Sequence, residues 1–140
     1  MTRAFLSAVV LCAASLPGCG PPAVDLPPPP PHGGTAFALP EGKGFVEVLR
    51  QDAPEQPGST QLVVYFLDAE RKTLPAVSNG VSFKPKGQGA APVALKPIGD
   101  ADPAKAGGFA SAPFRDPGEI VGLLSATVES KPVSVAITMR

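Results

Sequence analysis

Few side chains in this 140-residue chain could do chemistry: one histidine, His32, and two cysteines, Cys12 and Cys19. A nucleophilic enzyme needs a base held beside a Ser, Thr or Cys nucleophile. His32 lies between Pro31 and two glycines, a position that we expect to be exposed and too mobile to hold catalytic geometry. The sequence also has no Gly-x-Ser-x-Gly elbow and no phosphate-binding P-loop. We therefore expect a protein that is not an enzyme and needs no cofactor.

The same histidine is the first candidate metal ligand. His32 could bind a soft or borderline metal, alone or together with the carboxylate of Glu47. One histidine and one carboxylate fall short of the three or four protein ligands of a tight zinc site. We therefore favour solvated positions for both, with His32 at the start of the domain and Glu47 pointing outward from its strand.

The other charged residues have structural explanations that we also prefer. Asp68, like Glu47, could mark a binding edge, but Asp at a strand end typically caps the following turn. Lys84, Lys86 and Lys96 are expected to share an exposed sheet face, where an edge lysine discourages aggregation. The carboxylate oxygens of the densest acidic group could bind calcium, although acidic residues in loops are usually solvated. The four acids of this group are Asp100, Asp102, Asp116 and Glu119.

Cys19 stands in a pattern with chemistry of its own. Arg3 provides a positive start, and residues 4–14 are an apolar segment, too short for a permanent membrane helix but typical of a cleavable secretion signal. Leu16–Cys19 looks like a bacterial lipobox, the site at which the cysteine is acylated and becomes the new N-terminus, although Pro17 departs from the usual pattern. Cys19 is then the only cysteine of the mature chain, and a lone thiol in an oxidising compartment needs a role.

The N-terminal pattern predicts both processing and location. We predict a signal peptide over residues 1–18 and fatty acyl chains, such as palmitate, on Cys19. Each buried methylene contributes about 0.8 kcal/mol, so several chains hold a protein stably at a membrane. Gly20 follows the cysteine. Because Asp at that position is the signal for retention in the inner membrane, its absence favours the outer membrane, at its periplasmic face or at the cell surface.

The composition excludes some partners. The chain has 12 basic and 12 acidic residues, so its charge gives no reason to expect nucleic acid or an anionic lipid surface. It has no Trp and one Tyr, which weakens any case for stacking on sugars or single-stranded nucleic acid. The mature chain is long enough for one domain and too short for two, and we expect a monomer.

A proline-rich tether is predicted over residues 19–34. Seven prolines lie among the 15 residues of Gly20–Gly34, including Pro27–Pro31 in a row. Such a run adopts an extended left-handed helix with a rise of about 3.1 Å per residue, which makes it a stiff spacer. A docking peptide for a proline-reading groove is the alternative, but those readers are mainly intracellular modules.

Residues 35–140 alternate with the period of two that is typical of strands. The segment at Gln61–Asp68 is apolar on both faces and therefore predicts an interior strand. Asn79-Gly80 predicts a turn, and the last 20 residues predict a hairpin with one apolar and one polar face. About seven strands, without a convincing helix, predict an antiparallel β-sandwich: Phe45–Arg50, Gln61–Asp68, Val81–Lys84, Val93–Lys96, Phe109–Phe114, Leu123–Glu129 and Val133–Arg140.

Three short motifs occur in a characteristic order: His32-Gly33-Gly34, Phe45-Val46-Glu47-Val48 and Val64-Tyr65-Phe66-Leu67-Asp68. With the Phe109-Ala110-Ser111 strand and the closing hairpin, they resemble a family of small bacterial export lipoproteins of largely unassigned function. The resemblance implies an immunoglobulin-like sandwich of the kind found in periplasmic domains. Some of those domains accompany heavy-metal or copper efflux systems.

These observations lead to three functional hypotheses. The first is a lipoprotein, anchored to the membrane through Cys19, that presents a β-sandwich and binds a protein partner in the cell envelope through a strand edge or loop end. The resemblance implies the second, a copper- or zinc-handling accessory of an efflux system with His32 and Glu47 as candidate ligands. The third is a purely structural envelope or surface protein.

Overall fold

A computed structural model describes residues 29–74, 77–87, 89–99 and 107–140. The predicted signal peptide, Cys19 and most of the predicted tether lie outside the described residues, as do Asp100 and Asp102. Within these ranges no helix is long and apolar enough to cross a membrane. The described chain is almost entirely β, with one short 3₁₀ turn at Pro40–Gly42.

In the described part of the chain, nine strands form two antiparallel sheets. The first sheet has the order β1-β2-β3-β7-β6, and the second has the order β5-β4-β8-β9. The strands are β1 (Thr35–Ala38), β2 (Phe45–Asp52), β3 (Thr60–Leu67), β4 (Val77–Pro85), β5 (Val93–Ala94), β6 (Lys96–Ile98), β7 (Gly108–Ala110), β8 (Ile120–Val128) and β9 (Lys131–Met139).

The connectivity is that of the immunoglobulin fold. Counted from β2, the first sheet follows the order A-B-E-D, and β4-β8-β9 of the second sheet follow the order C-F-G. β5 lies beside β4 in the place of strand C′, and β1 adds one strand outside A. The predicted immunoglobulin-like sandwich is confirmed.

The core between the sheets is aliphatic and aromatic. Alternation along β2 places Val46 and Val48 in this core, fully buried, and β8 and β9 contribute their inward-facing residues in the same way. Phe66 and Phe109 meet edge to face across neighbouring strands, with ring centroids 5.9 Å apart. Burial of these side chains stabilises the described sandwich without an inter-sheet disulfide, since both cysteines lie outside it.

The strongest sequence patterns are confirmed. β8 and β9 form the predicted C-terminal hairpin, and its turn lies at Glu129 and Ser130, both with positive φ. β3 is an interior strand between β2 and β7, and most of its residues are buried on both faces. The oxygen of Asp68 accepts a hydrogen bond from the backbone N–H of Lys72 at 2.8 Å, so it caps the turn after β3 as predicted.

Other sequence predictions are wrong in detail. Asn79-Gly80 is not a turn, because it lies inside β4. The register between β4 and β8 shifts between Ser78 and Ser82, and Gly80 has a positive φ within this irregular stretch, as is common in a bulge. The segment predicted as one strand at Val93–Lys96 is divided between the two sheets. Its first two residues form β5 of the second sheet, its last residue begins β6 of the first sheet, and buried Leu95 connects the two strands. Lys96 therefore lies in a different sheet from Lys84.

Candidate functional site at His32, Glu47 and Tyr65

The register of the first sheet places Glu47 on its outer face, between β1 and β3. Glu47 pairs with Ala36 on β1 and with Tyr65 on β3. Its neighbours Val46 and Val48 face the core, so the Glu47 side chain points away from the second sheet. The alternation did indicate this direction. The expectation that Glu47 is solvated is nevertheless wrong, because its side chain is 0% exposed.

The His-Gly-Gly motif covers Glu47 and satisfies its carboxylate. Oε1 accepts the backbone N–H of Gly34 at 2.8 Å and that of His32 at 3.0 Å. Oε2 lies 2.8 Å from Nδ1 of the His32 ring. A buried carboxylate is costly unless hydrogen bonds replace its hydration, and this segment provides three donors within one turn of chain.

The two glycines explain why the chain can approach so closely. Gly33 has φ +78°, in the left-handed region, and this turn directs the N–H groups on either side of it to one carboxylate, as in a backbone anion-binding nest. A Cβ on Gly34 would lie 2.6 Å from the carbonyl oxygen of Val48 and 2.7 Å from Cδ1 of Leu49. Gly34 therefore packs directly on β2, and a larger residue would lift the segment from the sheet.

The His32 ring is fixed from two sides. It stacks on Tyr65 with centroids 3.8 Å apart and planes inclined by 9°, while Nδ1 pairs with Glu47. The side chain remains 37% exposed, so the prediction of an exposed position is confirmed, but the ring is held in one orientation rather than free at the end of a tether. Sequence reasoning assigned His32–Gly34 to that tether; in the structure these residues contact the domain.

The hydrogen bond with Glu47 determines which ring nitrogen remains available. A carboxylate only accepts hydrogen bonds, so we assign the proton of this bond to Nδ1 of His32. Nε2 is then the ring nitrogen that can accept a hydrogen bond or bind a metal ion. A histidine oriented by a carboxylate in this way is the usual arrangement of a metal-ligating imidazole.

The site provides one oriented ligand rather than a closed metal cage. Within the described ranges no group of three or more His, Cys, Asp or Glu side chains gathers around a common point. Glu47, the second candidate ligand, has both oxygens bound to the His-Gly-Gly segment. A metal at His32 would therefore need ligands from elsewhere.

Tyr65 is the site residue that sequence reasoning missed as a functional residue. It stood inside the strand motif Val64-Tyr65-Phe66-Leu67-Asp68, and only the pairing of β2 with β3 brings it beside Glu47. The signal that could have found it is the shared outer face: both residues alternate with core residues on adjacent strands.

The acidic group proposed for calcium does not form a site among the described residues. Asp116 binds Arg50 at 3.3 Å and the backbone N–H of Gly118 at 2.8 Å. Glu119 pairs with Arg140 at 3.3 Å. Each of these two acids thus has an arginine partner, and the other two members of the proposed group lie outside the described residues.

Comparison with known proteins adds no relative: no family model, curated protein or solved structure matches the chain. The functional argument therefore depends on this chain's own residues.

Proposed function

We propose that this protein is an exported lipoprotein that binds a protein partner in the cell envelope. The Leu16–Cys19 segment supports acylation at Cys19, and the prolines that follow support a stiff spacer. The folded domain at the end of this spacer is an immunoglobulin-like sandwich, a fold whose faces and loops serve many unrelated binding functions.

The observation that carries the partner-binding proposal is the outer face of the second sheet. One row across it consists of Ser82, Ser125 and Ser134, and the hydroxyls of the last two lie 3.1 Å apart. The next row contains Leu123, which is 43% exposed, between Lys84 and Ala136. The exposed leucine is therefore flanked by small side chains and one lysine, and an apolar side chain with small neighbours suits close packing against a protein partner.

A pair of matched substitutions tests this surface. Leu123→Asp places a charge at the centre of the face, and we expect it to reduce co-purification of the envelope partner at least about tenfold, because the charge must lose its hydration in the complex. Ile98→Asp is the control: this residue is also an exposed aliphatic, 37% accessible, but it lies on β6 of the other sheet. The measurement is quantitative mass spectrometry of material captured from intact cells by a photo-cross-linking residue at Ala136.

Equal recovery of the same partner with both variants would contradict the role of this face. Retention of the partner by Ile98→Asp and its loss by Leu123→Asp would support it. Circular dichroism of both proteins shows whether the fold is intact.

A second candidate function, metal handling, is favoured by the His32–Glu47 pair. The carboxylate holds the ring through Nδ1, which leaves Nε2 available on a partly exposed side chain, as in a metal-binding histidine. Because one histidine is too few for a tight site, we propose that a partner provides the remaining ligands of copper or zinc during transfer. The resemblance of the His-Gly-Gly lipoproteins to periplasmic domains, some of which accompany heavy-metal or copper efflux systems, supports the same proposal.

Titration with Cu²⁺ and Zn²⁺ tests this second function. We expect weak binding by the full chain, in the micromolar range or above, and His32→Ala to weaken it at least about tenfold, since Nε2 is the proposed ligand. Glu129→Ala, which removes an exposed carboxylate elsewhere, is expected to leave binding unchanged. A calorimetric titration that shows no heat with either ion would remove the metal hypothesis.

A further inference from the structure

A cavity of about 730 Å³ opens between the two sheets, at the end of the sandwich where β4 ends and β8 begins. Its inner wall includes the core residues Leu62, Phe83 and Ile120. Nearer the opening it is lined by Val93 and Phe114. The volume lies in the range of small-molecule sites, about 300–1,000 Å³, and the wall continues directly into the hydrophobic core.

The neutral polar side chain of the wall, that of Ser111, is already satisfied. The Ser111 hydroxyl accepts the backbone N–H of Leu62 at 3.0 Å and donates to the carbonyl of Ala112 at 2.9 Å. Three prolines, at positions 85, 113 and 117, also line the cavity, and proline has no backbone N–H to offer. An extended peptide would find few donors here, whereas an alkyl chain needs none.

The charges at the cavity are asymmetric. Arg115 and Lys86 both line it, and neither has an ion pair or a side-chain hydrogen bond in the part of the chain that the structure describes. Among the described residues that line the cavity, the one acid is Glu119, and it pairs with Arg140. Two cations that have no partner among the described residues therefore lie beside an apolar chamber.

We propose that this cavity binds one anionic amphiphile of the fatty-acid class, with its alkyl chain between the sheets and its carboxylate at Arg115 and Lys86. Arg115 offers the planar guanidinium that pairs with a carboxylate through two parallel bonds, and Lys86 adds a second positive charge. The site is separate from the His32–Glu47 pair. It adjoins the outer face that carries Leu123, since Lys86 and Val121 line both. The proposal does not depend on either proposed function.

The test is calorimetric titration of the full chain carrying Cys19→Ala with dodecanoate, below the concentration at which dodecanoate forms micelles. We expect saturable binding of one dodecanoate per chain. The double variant Lys86→Glu/Arg115→Glu is expected to weaken the affinity at least about tenfold. The matched control, Lys72→Glu/Lys131→Glu, makes the same change in net charge at exposed positions away from the cavity and is expected to bind like the parent chain.

Two further measurements distinguish the contribution of the alkyl chain to binding from that of the head group. Val93→Trp places a large side chain at the cavity wall and is expected to abolish binding. Dodecyltrimethylammonium has the same chain with a cationic head and is expected to bind at least about tenfold more weakly than dodecanoate.

Several results would overturn the proposal: no saturable binding of dodecanoate, equal affinity for the two amphiphiles, or equal weakening in the cavity and control double variants. If dodecanoate does not bind but Val93→Trp loses a cross-linked protein partner, the cavity receives an apolar side chain of that partner, and the lipid assignment is wrong.

Discussion

Replacement of Cys19 by alanine is expected to release the protein from membranes into the soluble fraction, an increase of at least about tenfold in soluble protein, because Cys19 is the proposed site of acylation. A single acyl chain gives only marginal membrane binding, whereas two or more hold a protein stably, each buried methylene contributing about 0.8 kcal/mol. The described domain provides no spanning helix to replace them. Fractionation of cells, followed by mass spectrometry of the mature N-terminus, measures both localisation and modification.

Cys12→Ala is the matched control for this experiment. Cys12 lies in the segment that we predict to be removed, so its loss is expected to leave both fractionation and the mature mass unchanged. A Cys19→Ala protein that remains in the membrane fraction, or a mature chain whose first residue carries no acyl group, would contradict the anchoring proposal. The partner-binding face can be tested independently, since it lies on the folded domain.

Glu47→Ala is expected to produce the largest loss of stability among single substitutions at the site, about 2–4 kcal/mol. The substitution removes the carboxylate that binds the N–H groups of His32 and Gly34 and Nδ1 of the ring. It also leaves space beneath the His-Gly-Gly segment. For a domain of this size, the expected decrease in Tm is about 10 °C, measured by thermal unfolding followed by circular dichroism.

Two variants control for charge and for exposure. Glu129→Ala removes a carboxylate that is 59% exposed and is expected to change Tm by about 2 °C or less, since surface ion pairs contribute little. Glu47→Gln retains the shape and one acceptor oxygen, so we expect a loss of stability between those of the two alanine variants.

The NMR signals of the His32 ring are expected to shift in Glu47→Ala as the ring leaves the face of Tyr65. If Glu47→Ala and Glu129→Ala unfold at the same temperature, the carboxylate does not hold the segment.

The sequence predicted the fold well where one face of a strand is buried and the other is exposed to solvent. In β8 and β9 the alternation of apolar and polar residues directly encodes which side faces the core, so the ends of both strands are predicted to within three residues. The Asn79-Gly80 dipeptide failed as a predictor because a positive φ at glycine suits a bulge within a strand as well as a turn. β1 was not predicted as a strand: its four residues are too few for a clear period, and pairing with β2 determines its conformation.

The same alternation could not predict the environment of Glu47. The alternation of apolar and polar residues indicates which face of the sheet a side chain occupies. It does not indicate whether another segment covers that face. On the outer face of β2, residues 32–34 provide the cover, and their N–H groups replace the water that a carboxylate otherwise requires. A charged residue in an apolar strand and a Gly-Gly pair 13 residues earlier were each visible, but their contact required the tertiary structure.

By itself, the amino-acid sequence determined the all-β class, the predicted acylation site at Cys19 and the candidate pair His32 and Glu47, because each depends on residue types and local spacing. Only the tertiary structure decided that Glu47 is buried, that His32 is oriented by it and stacked on Tyr65, and that a cavity lined by two cations opens between the sheets. These features depend on which strands lie next to each other, and hydrogen bonding between segments that are distant in sequence determines that pairing.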